Sequence, residues 1–381
     1  MSRATTETET RHDPEPTTVE SEKTVGVSLR DQPITPARPS VWWRPRAGDI
    51  PGLTVAVAFV GVAITILALV LGLTGTYRPV GQTVSAGNGA AQTKSISPAS
   101  VPAHQTYNAA PPVAPSGDVA NVTLIAKEAL ISIAPGVAYH AWTFNGSVPG
   151  PIIRVRQGQT VHFTLENQTS MAHSIDFHAA QTPWNVNYQS VAPGKSFSFT
   201  WKANYPGVFL YHCGTAPVIY HIANGMYGAI IVDPANGWSP AKEYVLVQGE
   251  WYTQQNPDGT YSISGDKVMS DNPDYVTFNG YVDQYKSSPL TAAAGQRIRL
   301  FVVNAGPSEF SAFHVIGAIF SDAYVDGNPA NHTVGDQTIV VPPGGGSVVE
   351  LTIPEAGSYP FVTHSFADAS KGALGLISIT K

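Results

Sequence analysis

Cysteine is nearly missing from this chain: Cys213 is the single one in 381 residues. One cysteine forms no internal disulfide, so a disulfide scaffold is excluded. Charge is scarce too, at 13% against 43% hydrophobic residues. Disorder needs high charge and little to bury, so the chain is not disordered throughout. The net charge of −6 comes without a long basic tract, which argues against nucleic acid as a partner. Long helical periodicity is absent from Asp118 onward, whereas Gly (35) and Pro (31) are plentiful. That balance favours short strands and turns.

Apolar runs long enough to cross a membrane are absent everywhere but one place. Between Ile50 and Tyr77 no residue is charged. The run PGLTVAVAFVGVAITILALVLGLTG supplies the ~20 apolar residues that a bilayer core requires. Arg38, Arg44 and Arg46 precede it and Arg78 follows. The positive-inside bias puts the segment before it in the cytoplasm and the body outside. The expected order is a disordered cytoplasmic tail over 1–50, a transmembrane helix over 51–76 and a flexible linker over 77–117. The body is then extracytoplasmic, held to the cell membrane by a single pass. A cleaved signal peptide is the alternative for the apolar run, and it leaves the body outside as well.

From Asp118 the texture is all-β. Thr160–Leu165 and Phe197–Trp201 alternate apolar with polar residues, and Pro-Gly and Asn-Gly turns separate such runs. The body also repeats itself. Thr143–Phe144–Asn145–Gly146 recurs as Thr277–Phe278–Asn279–Gly280, and Pro193–Gly194 as Pro343–Gly344. Gly225-x-x-Gly228 and its apolar strand recur as Gly372-x-x-Gly375. Two tandem β-sandwich domains are expected, over 118–238 and 239–381.

The first copy concentrates metal-binding chemistry. Cys213, His221 and Met226 fall in one loop between strands, and His173 comes from a distant strand. Two histidines, one cysteine and a weak axial methionine are the donor set of a type 1, electron-transfer copper. His178 and His212 are left over. Neighbouring residues on a strand face opposite ways, so His212 points away from Cys213 while bonded to it through the peptide. That places a second metal behind the first. Aligning the repeat puts His212–Cys213 opposite His364–Ser365, His221 opposite Asp368 and Met226 opposite Ala373. Domain 2 thus lacks type 1 ligands, and His364 becomes the third imidazole of an open, catalytic copper site with His178 and His212. Asp176 is placed to act there as acid or base, and His314 lies in the matching segment of domain 2.

The segments HSIDFHAA (173–180), YHCGTAPVIYHIANGMYGAIIV (211–232), FHVIG (313–317) and THS…KGAL (363–374) resemble, in order, those of the copper-containing nitrite reductases. The resemblance covers roughly 118–381, and the short Cys213-to-His221 spacing is similar to the family's short-loop subgroup. It implies two cupredoxin-like Greek-key domains in a homotrimer, with the type 2 site between domain 1 of one chain and domain 2 of the next. It implies type 1 copper on His173, Cys213, His221 and Met226, and type 2 copper on His178, His212 and His364. Asp176 and His314 would then deliver two protons, and Ile316 would shape the anion pocket. The implied reaction reduces nitrite by one electron to nitric oxide and water. A donor such as a cupredoxin or c-type cytochrome feeds type 1 copper, and the electron passes through Cys213–His212. One departure stands out. Where the family typically has a Gly-rich loop near the substrate channel, this chain has Gln181–Thr182–Pro183–Trp184–Asn185.

Three other classes fit less well. A laccase-like oxidase needs about eight histidines in His-x-His pairs around three coppers, and none of the 11 histidines here forms such a pair. A pure electron carrier would not need His178, His212, His364 or a second domain. A copper-storage protein would not need Asp176 and His314. The runner-up is a two-domain oxidase that uses the same coppers on O₂ or another small oxidant.

Overall fold

A computed structural model describes residues 100–381. The tail, the apolar run at 51–76 and the linker before residue 100 lie outside these residues. Among the described residues no helix is long and apolar enough to cross a membrane.

Domain 1 is a sandwich of two sheets. One, in spatial order, runs Thr253–Gln255, Tyr261–Ile263, Val137–Phe144, Val119–Ala134, Thr160–Asn167, Ser196–Lys202. The other runs Ile153–Arg156, Tyr227–Asp233, Gly207–His212, Asp176–Phe177. The strands Thr253–Gln255 and Tyr261–Ile263 come from beyond residue 239, so the chain's second half completes the first half's six-stranded sheet. Domain 2 repeats the plan. Its six-stranded sheet is centred on Lys242–Trp251, Arg297–Gly306 and Gly346–Thr352, and its five-stranded sheet on Leu374–Thr380, Gly357–Thr363 and Ser311–Val315. Among the described residues the helices are only four to six residues long.

Strand composition follows from what covers each face. Thr160–Asn167 buries Val161, Phe163 and Leu165 and exposes the residues between, as a one-sided strand should. Tyr227–Asp233 is buried at every position. Its Ile230 and Val232 enter the domain 1 core, while Tyr227, Ala229 and Ile231 enter a second core shared with Val245, Val247, Phe301, Val303 and Val348 of domain 2. The two sandwiches therefore stack face to face. Gly346 permits the approach, because a Cβ there would stand 2.2 Å from the Val208 carbonyl oxygen.

The stretch 100–117, expected to be the end of a flexible linker, instead lies against the body. Tyr107 donates to the Gly150 carbonyl, Ala109 is buried and accepts from the Val245 N–H, and Arg156 donates to the carbonyls of Pro115 and Gly117.

The structure also corrects the internal alignment. Gly228 lies under the ring of Tyr211, and Gly375 under that of Phe361. His212 pairs with Asp176, and Val362 with His314. The Ser174 N–H donates to Cys213 Sγ at 3.3 Å, and the Ala312 N–H to Thr363 Oγ1 at 3.1 Å. Thr363, not Ser365, therefore occupies the cysteine's place, Val362 is the counterpart of His212, and His364 stands two residues beyond it. The sequence alignment slipped because the loop after Thr363 is shorter. The placement of Asp368 and Ala373 opposite His221 and Met226 agrees with the structure: Met226 N–H donates to His221 O, and Ala373 N–H to Asp368 O.

Gly228→Ala tests the packing. Its Cβ would lie 2.3 Å from Cζ and Oη of Tyr211, which is fully buried and has no room to yield. Overpacking of this kind costs ~1–3 kcal/mol, so the thermal midpoint should fall by several degrees.

Candidate metal and active site

The loop between Gly207–His212 and Tyr227–Asp233 folds back on the domain 1 core through a short helix, Val218–Ala223, which carries His221. His173 sits outside any regular strand, in an isolated bridge to Val191, rather than on the strand expected. Met226 is fully buried; its N–H donates to His221 O and its carbonyl accepts from Cys213 N–H. His173 Nδ1 and His221 Nδ1 are 3.1 Å apart, and Cys213 Sγ lies 3.7 Å from the first and 3.3 Å from the second. Metal bonds of ~2.0–2.3 Å in a trigonal set require donors roughly 3.5–4 Å apart, so this triangle is close to the size an ion needs.

Electrostatics agree with that reading. Burial, with the neighbouring His221 as a second cause, pushes His173 down to about 4, and burial does the same to His221. Both rings are therefore neutral, as ligands must be. Burial raises the Cys213 thiol, so without a cation it stays protonated. The unfolded rings titrate near 6.5. Between pH 6.5 and about 4 the unfolded chain binds more protons than the metal-free fold. The metal-free protein should therefore lose stability as pH falls through that window and hold it above. Thermal melts of the metal-free form at pH 7 and 4.5 check this.

Behind Cys213 the strand alternates as expected: Tyr211 and Cys213 face the domain 1 core, while Val208 and Leu210 face domain 2. His212, only 8% exposed, meets His178 on that second side, with their Nε2 atoms 3.1 Å apart. The Nδ1 atom of His212 lies 2.9 Å from the Cys213 carbonyl, and that of His178 lies 3.0 Å from the Gly344 carbonyl. A carbonyl only accepts, so each Nδ1 carries the proton and each Nε2 presents a lone pair. Two lone pairs at 3.1 Å repel unless a cation lies between or beside them. Asp176 Oδ2 is 3.8 Å from His212 Nε2, and Asp176, His178 and His212 form one donor group. Burial lowers the pKa of His212, keeping it neutral.

Domain 2 holds a separate pair. His314 and His364 stack edge-on with ring centroids 5.4 Å apart. His314 Nδ1 is held by the Gln337 carbonyl at 2.6 Å and Thr338 Oγ1 at 3.3 Å, leaving Nε2 free. Ile316 follows the same strand and is 40% exposed. His364 is exposed and belongs to neither donor group formed within the chain. The divergent segment after Ala180 forms a short helix, Trp184–Asn187, with Trp184 76% exposed. It is tied to the cysteine loop by Ser190 and Thr215.

Several contributors carried no sequence signal. Trp142 packs on His221 and His173 at 4.9 and 5.8 Å between ring centroids. Ser174 holds the loop twice, through its N–H to Cys213 and through its Oγ from Gly214. Gln337, Thr338 and Gly344 act from distant parts of the chain. For Gly344, the run Gly344–Gly345–Gly346 is a signal that could have pointed to a close contact.

Cys213→Ser separates the two donor groups. An intense visible charge-transfer band needs the thiolate, so the variant should lose its colour. Its imidazole site should keep its metal. A coloured variant would remove the thiolate assignment; absorption and metal content read both outcomes.

The chain is similar to several known proteins. Multicopper oxidase family models match residues 126–237 and 242–378. A copper-containing nitrite reductase of Neisseria meningitidis is 42% identical over 261 residues, 66% of this chain and 66% of that relative's length, just under two thirds. One from Alcaligenes faecalis is 30% identical over 81% of this chain and 91% of its own. The solved structure of a copper nitrite reductase from Nitrosomonas europaea is 41% identical, with a TM-score of 0.65, covering 69% of this chain and 94% of that one.

Proposed function

The chain belongs to the copper-containing nitrite reductases, and we propose that it reduces nitrite by one electron to nitric oxide. The observation that carries this reading is the pair of donor groups on opposite faces of one strand, joined by the Cys213–His212 peptide. The reaction balances as nitrite plus one electron and two protons, giving nitric oxide and water. Copper bound at the two groups would supply the one-electron redox chemistry, with type 1 character where the thiolate is and type 2 character where only imidazoles are. Cys213 and His212 give the shortest covalent route between the groups.

The remaining residues handle anion and protons. Asp176, beside His212 Nε2 and partly exposed, can hold a proton toward an oxygen of bound nitrite. His314, with Nδ1 fixed by Gln337 and Thr338, offers Nε2 as the second proton carrier. Ile316 presents an exposed apolar side chain just after the strand that carries His314 and would bound the anion pocket. Among the described residues of one chain the Asp176–His178–His212 group lacks a third imidazole, while His314 and His364 stand exposed or half-exposed as a second half. Joining the halves of adjacent chains in a ring, a homotrimer, supplies it. The charge-free run before Tyr77 supports anchoring in the cell membrane with the body outside, open to a small electron-carrier protein.

The purified full chain, loaded with copper and reduced anaerobically, should convert nitrite to one nitric oxide per electron. Copper analysis should give two per chain. A reduced protein that consumes O₂ but yields no nitric oxide would favour the oxidase reading instead.

A further inference from the structure

We propose that the main-chain carbonyl of Gly344, in domain 2, is a positioning group for His178 of domain 1. The second donor group would then be set by both domains of one chain before any other chain meets it. The inference rests on the reading of His178 as a metal ligand and names what aims it.

His178 lies at the end of the two-residue strand Asp176–Phe177, where little backbone structure fixes its ring. Its N–H bonds to the Leu210 carbonyl, which holds the main chain but not the side chain. The one side-chain bond other than that to His212 is Nδ1 to Gly344 O, 3.0 Å, across 166 residues of sequence. That bond selects the tautomer with Nε2 free, and directs Nε2 at His212 Nε2.

The turn is an inherited one put to a second use. Gly344 N–H donates to Asn304 O and Gly345 N–H to Pro342 O; Gly194 N–H donates to Asn167 O and Lys195 N–H to Ala192 O. The two turns are the same by register, and both glycines have positive φ, +80° and +71°. Their surroundings differ. A Cβ on Gly194 would meet nothing within 4 Å, whereas one on Gly344 would lie 3.2 Å from His178 Cε1. Only in domain 2 does the turn lie against a ligand, because Gly346 lets it press against Val208 of domain 1.

Gly194→Ala is therefore a matched control for Gly344→Ala: similar backbone strain, no histidine. Cu(II) retention against a competing chelator is measured at both sites, by absorption for the thiolate band and by electron paramagnetic resonance for the imidazole site. Thermal midpoints should fall comparably in the two variants. Gly344→Ala keeps the carbonyl but sets a Cβ 3.2 Å from His178 Cε1, which pushes the ring off it; this variant alone should weaken copper at the imidazole site by ~10–100-fold, the usual effect of disturbing an outer partner, with the thiolate band intact. Gly344→Asn, which tolerates positive φ but keeps a Cβ against His178, should behave like Gly344→Ala. If Gly344→Ala retains copper as Gly194→Ala does, or loses it equally at both sites, the positioning role is overturned. A wild type that holds only the thiolate-site copper overturns the ligand reading beneath, and this inference with it.

Discussion

Asp176→Asn should keep both coppers and lose ~10²–10⁴-fold in turnover, the usual worth of a general acid. The amide has the carboxylate's shape, and the strand Asp176–Phe177 that carries it is pinned by pairing with Tyr211 and His212. Metal content and the thiolate colour should therefore not move, which isolates the missing proton as the cause. Expressed as a barrier, the loss is about 3–5 kcal/mol. His314→Ala should act alike, because the reaction consumes two protons and its Nε2 is the other free carrier. In the unaltered protein the rate should fall as pH rises, since protons are consumed. Near-normal turnover of both variants at pH 6–7 would mean that the protons arrive by another route.

The sequence was readable where chemistry is local. Cys213, His221 and Met226 share a loop, and the strand rule alone separates His212 from Cys213; the packing of Tyr211 and Leu210 into different cores bears out that alternation. It was less readable where position depends on register. A loop of different length carried the alignment of His212 onto His364, and strand register, such as the pairing of Asp176 with His212 and of His314 with Val362, corrects it. It was silent where a group acts through its backbone. The Gly344 and Gln337 carbonyls carry no side-chain signature, and their partners are distant in sequence. The fate of residues 100–117 was misread for a related reason: the composition looks like a tether, yet the carbonyls of Pro115 and Gly117 accept from Arg156 and Gln159.

His212→Ala and His364→Ala proteins should each be inactive alone, yet recover about a quarter of native activity when unfolded together and reassembled. His178 and His212 belong to domain 1 and His364 to domain 2, and no chain gathers all three into one donor group. In a head-to-tail ring each site is built from one domain of each kind. A site is intact only where an unaltered domain 1 meets an unaltered domain 2, roughly one interface in four with random mixing around a closed ring. Copper at the imidazole site should return in the same proportion as activity, while the thiolate band stays full in every mixture. A site closed within one chain gives a different result, because each chain then carries its own defect into every site. Mixed rings that form, shown by exchange of two differently tagged chains, but regain neither copper nor activity would establish that case and remove the shared site.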